Sequence, residues 1–334
     1  ASARRRQSGL PHAGLMTAPL LDVAGLSVSF GGRRRQALVR AVTDVSFALE
    51  AGQTLGVVGE SGCGKSTLAR AILRLIVPSA GVVRWQGRDL ADLSATELRQ
   101  CRRQMQIVFQ DPLAALNPRL TAGEIIAEPL RNFEPALGRA GRAARVAAVM
   151  PKVGLSADLI NRYPHEFSGG QCQRIGIARA VVLEPKLLVC DEPVSALDVS
   201  IQAQIIELLA KLQGELGLAL IFISHDLAVV RHVSQRVLVL YLGRVMEAAD
   251  RTPLFASPRH PYTQALLAAA PVPDPATEQR RRAVLGGETP SPLDPPSGCP
   301  FQSRCPEAEA RCAIDLPDLI DINPGHAVAC HKVV

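Results

Sequence analysis

An α/β fold with a largely parallel sheet is the architecture that the sequence predicts. Short apolar runs at residues 55–58, 187–190 and 218–223 have the length of buried strands. Each run leads into a glycine-rich or polar cluster, and segments with the apolar spacing of helices lie between the runs. Because strands that alternate with helices form parallel sheets, we expect a ligand at the carboxyl ends of these strands.

Composition and charge limit the class of protein without identifying a partner. The chain has 334 residues, 47% of them hydrophobic and 4% aromatic, which favours a core of Ala, Val, Leu and Ile and argues against a disordered chain. The net charge of +6 suits nucleic acid, anionic lipid or nucleotide phosphate equally well. No apolar run reaches the roughly 18 residues of a membrane span and no secretory signal is visible, so a cytosolic chain without disulfides is expected.

Residues 59–67 match the phosphate-loop pattern G-x-x-x-x-G-K-[ST] between a predicted strand and a predicted helix. The glycines let backbone N–H groups turn toward phosphate oxygens, and the helix presents its positive end to the same charge. Lys65 is expected to reach the β- and γ-phosphates of ATP, and the Ser66 hydroxyl to ligate Mg²⁺. The residues predicted to bind the nucleotide in this loop are Gly59, Ser61, Gly62, Cys63, Gly64, Lys65, Ser66 and Thr67.

The apolar strand at 187–190 ends in two acids, Asp191 and Glu192. Asp191 is expected to hold Mg²⁺, usually through water. Glu192 follows at the strand end, where a carboxylate can polarise an attacking water. The alternative is an ordinary acidic strand end, which the presence of Lys65 disfavours. The two acids therefore indicate that the nucleotide is hydrolysed and not merely stored.

A second small-residue segment stands directly before a helical stretch, about twenty residues ahead of Asp191. Free backbone N–H groups at a helix start can receive another phosphate. The segment and its place in the chain resemble the signature motif of the ABC ATPases, which completes the ATP site of a partner subunit. Its residues are Ser168, Gly169, Gly170 and Gln171.

The resemblance implies an architecture. It is a P-loop ABC ATPase core, with a RecA-like, mostly parallel sheet, an antiparallel β part, a helical subdomain at about 111–174 and a small Cys-rich C-terminal module. We expect a disordered extension at 1–19, a nucleotide-binding domain at 20–255 and the C-terminal module at 256–334. A stretch rich in Pro, Arg and Gly at 271–297 is expected to be a loose connection.

Other positions match the ABC motifs one by one. Gln110 resembles the Q-loop glutamine, which senses Mg²⁺ and water and couples to the membrane subunit. Asp198, in Ser-Ala-Leu-Asp, resembles the D-loop that communicates across the dimer, and His225 resembles the switch histidine that contacts the γ-phosphate. Phe30 is our choice for the aromatic ring that stacks on adenine, with a core position as the alternative.

The resemblance also implies partners and a mechanism. Two ATPase subunits close head to tail around ATP and part after hydrolysis, which moves two membrane-spanning permease subunits between inward- and outward-facing states. The second ATPase is expected to be a different chain. This places the protein on the cytoplasmic face of the cell membrane, with an extracytoplasmic binding protein as a further partner and no role for nucleic acid.

Further segments resemble the ATPases of dipeptide and oligopeptide importers, which implies peptide uptake, with nickel or glutathione as alternative cargo. Cys172 departs from the usual arginine of the signature helix, a position through which catalysis does not run. The segments that carry this closer resemblance are 109–112, 116–119, 163–166, 260–263, 192–195 and 290–293; the last two favour the second of the two paired ATPases.

Four cysteines cluster at the C-terminal end: Cys299, Cys305, Cys312 and Cys330. In a reducing compartment such a set suits a metal site better than disulfides, and thiolates suit an iron–sulfur cluster or zinc. The resemblance to the peptide importers implies a [4Fe-4S] cluster. Zinc and plain buried thiols are the alternatives. His326 and His331 are possible zinc partners, although both are expected to be surface residues.

Non-transport ABC ATPases share the core motifs and form the competing class. A DNA-repair or chromosome-organising member should carry a coiled coil or zinc insertion between Gln110 and Ser168, and that interval is short here. A ribosome-acting member should hold two cassettes in one chain, and one is present. Both alternatives are therefore disfavoured.

Overall fold

The computed structural model describes residues 18–31, 38–269 and 287–333, and these divide into two compact units. The first 17 residues of the expected extension, and residues 271–286 of the expected connection, lie outside the described residues. The described part of unit 1 is 18–31, 38–49, 55–91, 225–269 and 287–333, and unit 2 is 50–54 and 92–224.

The described residues form twelve strands. They are β1 (Leu21–Phe30), β2 (Val39–Leu49), β3 (Thr54–Val58), β4 (Ala80–Trp85), β5 (Arg88–Asp89), β6 (Met105–Val108), β7 (Leu187–Asp191), β8 (Ala219–Ser224), β9 (Arg236–Tyr241), β10 (Arg244–Asp250), β11 (Ile320–Asn323) and β12 (His326–Val328).

The helices lie between these strands, either singly or in groups. They are α1 (Lys65–Ile72), α2 (Ala95–Gln104), α3 (Pro112–Ala115), α4 (Ala122–Phe133), α5 (Arg139–Lys152), α6 (Gly169–Val181), α7 (Val199–Leu216), α8 (Leu227–Val233), α9 (Arg251–Ala256), α10 (Pro261–Ala269) and α11 (Ala310–Ile314), with 3-10 turns at Ala157–Asn161, Pro164–Glu166 and Gln302–Arg304. None of the described helices is long and apolar enough to cross a membrane.

Unit 1 contains an antiparallel sheet in the order β2-β1-β4-β5. Alternate side chains of β1 are buried, including Leu21, Val23, Leu26 and Val28. The register shifts beside Gly25, whose φ of +60° lies in the left-handed region that glycine adopts without strain. Period-two burial of this kind is what a sheet with one covered face requires.

The other strands of unit 1 lie in the order β11-β12-β10-β9-β3, with β3 and β9 parallel and the remaining pairs antiparallel. The cysteine-containing segment therefore reaches this sheet, because Val328 of β12 pairs with Glu247 of β10. The boundary expected near residue 255 stays a prediction.

Unit 2 holds the parallel strands β6, β7 and β8, with β7 in the middle. All five residues of β7 and all six of β8 are buried. A parallel strand covered on both faces has no polar side, and so its sequence is a continuous apolar run. The carboxyl ends of β7 and β8 come together at Asp191, which pairs with Ile223.

Candidate functional site

The phosphate loop of unit 1 runs from the end of β3 to the first residue of α1, as the sequence predicts. Gly64 is the N-cap of α1 and has φ +101°. A Cβ atom added there would lie 2.1 Å from the carbonyl oxygen of Ala41, so both the backbone conformation and the space demand glycine. Ser61 and Gly62 are exposed, which leaves this part of the loop accessible to a ligand.

Lys65 is held inside the loop. Its side chain is buried, and Nζ donates hydrogen bonds to the carbonyl oxygens of Gly59 (2.7 Å) and Glu60 (3.0 Å). These bonds fix an ammonium group at the amino end of α1, where the helix dipole already favours an anion. The arrangement therefore concentrates positive potential at the loop.

Cys63 is a buried residue of the phosphate loop. Its side chain is 4% exposed, and burial raises the pKa of its thiol, against the opposing charge of Lys65. The backbone N–H of Cys63 donates to the Glu60 carbonyl oxygen at 3.2 Å. A Cβ atom on Gly59 would lie 2.7 Å from the Cys63 sulfur, so the two residues are fitted to each other. The thiol thus contributes packing to the loop.

Two of the predicted catalytic residues meet in unit 2. Gln110 Nε2 donates a hydrogen bond of 2.8 Å to Glu192 Oε2, although the residues are 82 positions apart. Glu192 is 8% exposed and Asp191 is 2% exposed. The carboxylates therefore stand in a largely water-excluded setting, where their interactions are stronger than in bulk water.

The backbone of Glu192 is strained. Its φ of +48° lies in the left-handed region, which costs a residue with a side chain about 1–3 kcal/mol. The strain is held in place from both sides, because Glu192 N–H donates to Ile223 O at 3.1 Å and the Ser195 hydroxyl donates to Glu192 O at 3.1 Å. Strained residues of this kind cluster at functional sites.

The predicted signature segment begins α6. Ser168 is the N-cap, its hydroxyl oxygen accepts from Gln171 N–H at 3.3 Å, and Gln171 Oε1 accepts from Ser168 N–H at 3.0 Å. The spacing of the two residues is that of a capping box, a feature that the prediction of phosphate binding did not include. Gly169 is exposed, whereas Gly170 is buried against α7.

The remaining predicted residues lie at element ends. Phe30, the last residue of β1, is 42% exposed, so it is not part of the core. His225 follows β8 and is exposed. Asp198 is the N-cap residue of α7, but its exposed carboxylate makes no capping hydrogen bond. Their nucleotide and dimer roles stay predictions.

Sequence reasoning missed three residues of unit 1 that contact the phosphate loop or its neighbours. Glu60, inside the loop, is bound by Tyr262 and by Arg304. Tyr262 belongs to the His-Pro-Tyr-Thr segment, whose resemblance to importer ATPases was noted without a role for the tyrosine. Arg304 precedes Cys305, and no sequence motif marks it as a functional residue.

The four C-terminal cysteines line one small cavity of about 10 Å³ in unit 1. Burial raises the pKa of the Cys299 thiol to about 11, and the three neighbouring cysteines add to the increase. Within the described residues, no group of three or more His, Cys, Asp or Glu side chains is arranged to hold a metal ion. The described residues therefore show no formed site for zinc or for a cluster.

The two histidines proposed as zinc partners differ in position. His326 is buried and its Nε2 lies 2.7 Å from Glu247 Oε1, so the expectation that it is a surface residue is wrong. The reason is that Glu247 is wholly buried and takes His326 as a hydrogen-bond partner. His331 lines the cysteine cavity, with Nε2 2.9 Å from the carbonyl oxygen of Asp315.

Comparisons with known proteins agree with these motifs. The family model for the ABC transporter matches residues 42–195, and that for the oligopeptide/dipeptide transporter C-terminal region matches residues 246–312. The oligopeptide transport ATP-binding protein OppF of Haemophilus influenzae is 55% identical over 323 residues, which cover 94% of this chain and 97% of that protein. OppF of Escherichia coli is 55% identical over 322 residues, covering 94% and 96%.

Solved structures share the fold. A dimeric ATP-binding cassette with bound ADP and phosphate is 29% identical with a TM-score of 0.62, covering 69% of this chain and 98% of that chain. A subunit of the cbiONQ ABC transporter complex of Clostridium perfringens is 28% identical with a TM-score of 0.63, covering 72% and 91%. The predicted fold class is confirmed. The chain therefore belongs to the ABC transporter family, as an ATP-hydrolysing subunit of the oligopeptide-importer type.

Proposed function

We propose that this subunit uses MgATP to drive the uptake of dipeptides or oligopeptides through a membrane complex. The observation that carries the nucleotide part is the buried ammonium group of Lys65 within a glycine loop at the start of α1. A fixed cation, a helix amino end and exposed loop residues favour a polyphosphate ligand. In this assignment Lys65 contacts the β- and γ-phosphates, Ser66 ligates Mg²⁺ and Phe30 stacks on adenine.

Hydrolysis is assigned to residues at or just beyond the carboxyl ends of β6, β7 and β8. Asp191 holds Mg²⁺ through water, and Glu192 polarises the attacking water. Gln110, which donates to the Glu192 carboxylate, orients that carboxylate and senses Mg²⁺ and the water. His225, at the end of β8, contacts the γ-phosphate. The low exposure of Glu192 supports the role, because a general base acts more strongly where bulk water is excluded.

A second ATPase subunit completes the reaction. Ser168, Gly169, Gly170 and Gln171 are assigned to the ATP bound by that partner, and Asp198 to communication across the dimer. Exposure of Gly169 at the first turn of α6 supports this role, because the first N–H groups of a helix have no acceptor within the helix. Closing and parting of the two subunits would move two permease subunits at the cytoplasmic face of the membrane, with an extracytoplasmic binding protein delivering the cargo.

The transport proposal is tested by isolating the intact complex and placing it in vesicles with labelled cargo. ATP-dependent uptake of oligopeptides, with ATPase activity stimulated by the permease subunits, is the expected result. Uptake of nickel or glutathione in place of peptides would overturn the cargo assignment. Stimulation by DNA or ribosomes in place of permeases would overturn the transport assignment itself.

We also propose that Cys299, Cys305, Cys312 and Cys330 hold a [4Fe-4S] cluster. Four thiols around one cavity support the assignment, because an iron–sulfur cluster takes thiolate ligands. When bound, the cluster would supply iron–thiolate bonds that tie the segment together. Protein purified without oxygen should be brown and contain about four iron atoms and four sulfides per chain. Colourless protein with one zinc per chain would contradict the proposal.

A further inference from the structure

We propose that Arg304 is a positioning residue for the phosphate loop, so that ATP affinity depends on the cysteine-containing segment. This inference rests on the proposed nucleotide role of Lys65. It concerns one ion pair in unit 1, between Arg304 and Glu60, and the hydrogen bonds that surround that pair.

The ion pair is bidentate and largely shielded from water. Arg304 Nη1 lies 2.8 Å from Glu60 Oε2, and Arg304 Nη2 lies 3.0 Å from Glu60 Oε1. The side chains of Arg304 and Glu60 are 6% and 24% exposed. Surface ion pairs contribute little because water and salt screen them, but a fork-shaped pair with so little exposure fixes both position and angle. The Glu60 carboxylate is therefore fixed in position and orientation.

Other polar groups complete the network around the pair. The Thr289 hydroxyl donates to Glu60 Oε2 at 3.0 Å. Arg304 Nη1 also donates to the Thr289 hydroxyl at 3.2 Å and to the Tyr241 hydroxyl at 3.3 Å. The hydrogen bonds with Glu60 and Tyr241 raise the pKa of Arg304, which keeps its charge at every physiological pH.

The backbone of Glu60 is held as well. Its N–H donates to the Tyr262 hydroxyl at 3.0 Å. Tyr262 is fully buried and packs against the rings of Tyr241 and Phe301, with centroid separations of 4.7 and 5.2 Å. A hydroxyl anchored in this aromatic cluster cannot follow the loop if the loop shifts.

The position of Glu60 affects that of Lys65 directly, because the Glu60 carbonyl oxygen accepts a hydrogen bond from Lys65 Nζ at 3.0 Å. A shift of Glu60 therefore moves one of the two carbonyls that orient the lysine. Arg304 binds the side-chain carboxylate of the same glutamate. The link from Arg304 through Glu60 to Lys65 is the physical route by which the C-terminal segment acts on the nucleotide.

Arg304 is itself tied to the cysteines. It ends the 3-10 turn Gln302–Arg304, and Cys299 and Cys305 lie on either side of that turn. Gln302 N–H donates to Cys299 O at 3.1 Å, and Cys305 N–H donates to Gln302 O at 3.4 Å. The turn that presents Arg304 is thus framed by two members of the cysteine set.

The experiment compares Arg304→Ala, Arg304→Lys and Glu60→Gln in the full chain, with Arg311→Ala as the matched control. Arg311 lies in the same segment, and its side chain forms an exposed ion pair with Asp315. ATP binding is measured by equilibrium titration of the subunit, and KM and kcat are measured in the assembled complex. Melting temperatures show that each variant is folded.

The proposal expects Arg304→Ala and Glu60→Gln to weaken ATP binding and raise KM by about tenfold, the effect of losing a charge-assisted hydrogen bond, while kcat changes by less than about twofold. Arg304→Lys restores part of the affinity because lysine keeps the charge but not the fork. The double variant should bind ATP no more weakly than either single variant. Arg311→Ala should bind as the unchanged protein does.

Lys65→Ala separates this proposal from the proposed function. If Lys65→Ala abolishes ATP binding while folded Arg304→Ala and Glu60→Gln bind as the unchanged protein does, the positioning role is wrong and the nucleotide site stands. If Lys65→Ala leaves ATP binding intact, the nucleotide assignment itself fails. If Arg304→Ala does not fold, Glu60→Gln decides alone, and normal affinity in that variant overturns the proposal.

Discussion

At the scale of single residues, Glu192 joins a strained backbone to a carboxylate that accepts a hydrogen bond from Gln110. The left-handed φ of +48° turns the chain away from the line of β7, and the Gln110 amide then fixes the carboxylate at 2.8 Å. A glycine would adopt this φ without strain. The presence of a glutamate therefore indicates that its side chain has a function that offsets the cost of the strain.

Glu192→Gln should bind ATP with nearly unchanged affinity and lose at least about 100-fold in hydrolysis, the usual range for removing a general base. Glutamine keeps the size of the side chain, and its amide oxygen can still accept from Gln110. Phosphate release is measured in the complex with an equally disabled partner subunit. Glu207→Gln, an exposed position on α7, is the control. Near-normal hydrolysis by Glu192→Gln would remove this residue from catalysis.

His260 gives unit 1 a pH dependence of stability. Burial lowers the pKa of His260 to about 4, from the usual value of about 6.5. As the pH falls below 6.5 the unfolded chain binds a proton that the folded chain refuses, so stability is lost between pH 6.5 and pH 4. The free energy of unfolding should fall by about 2 kcal/mol from pH 7 to pH 5 through this residue.

The measurement is urea unfolding of the unchanged protein and of His260→Asn at both pH values, at equal iron content. Asparagine can replace Nδ1 of His260 as the acceptor of Tyr262 N–H, a bond of 3.0 Å, but it does not titrate. The expected result is a smaller loss of stability in His260→Asn. An equal loss in both proteins would show that other groups cause the pH dependence.

At the scale of elements, α6 uses its two adjacent glycines differently. A Cβ atom on Gly170 would lie 2.6 Å from Ile201 Cγ2, in the packing against α7. A Cβ atom on Gly169 would lie 3.5 Å from Leu197 Cδ2, an ordinary contact. The first glycine of the pair thus faces a possible ligand, and the second allows two helices of unit 2 to approach each other.

Gly170→Ala should lower the free energy of unfolding by about 1–3 kcal/mol, because the added methyl group overpacks a contact with a stiff β-branched side chain. Gly169→Ala should leave stability unchanged or raise it by up to about 1 kcal/mol, because alanine favours the helix. Denaturant unfolding of the two variants side by side checks both. A larger loss in Gly169→Ala than in Gly170→Ala would reverse the assignment.

Local patterns predicted β3, β7, β8 and the phosphate loop because each depends on residues close together in the sequence. Buried parallel strands must be apolar throughout, and glycines are demanded where the backbone turns at Gly64. Arg304 and Glu60 are 244 positions apart, and an ion pair between distant residues leaves no periodicity or spacing. The pairing of the three-residue strand β12 with β10 was not predicted either, because it also joins residues that are far apart in the sequence.

At the scale of the whole molecule, each unit carries a different part of the predicted machinery. Unit 1 holds the phosphate loop with Lys65, and unit 2 holds the signature segment with Gly169. If the signature acts on the ATP of a partner subunit, substitutions in the two parts must have different effects on ATP binding by an isolated chain and on turnover by an assembled complex. Binding in the isolated chain reports on the phosphate loop, whereas turnover in the complex reports on the loop and on the signature segment.

Gly169→Ala should therefore bind ATP in the isolated chain with a Kd within about twofold of the unchanged protein, and should lower turnover in the complex by at least about tenfold. The added methyl group stands at the exposed first residue of α6, where the partner's γ-phosphate must approach the backbone N–H groups. Lys65→Ala should lose ATP binding in both settings. A raised Kd for isolated Gly169→Ala would place the signature in the chain's own site, and undiminished turnover would exclude it from catalysis.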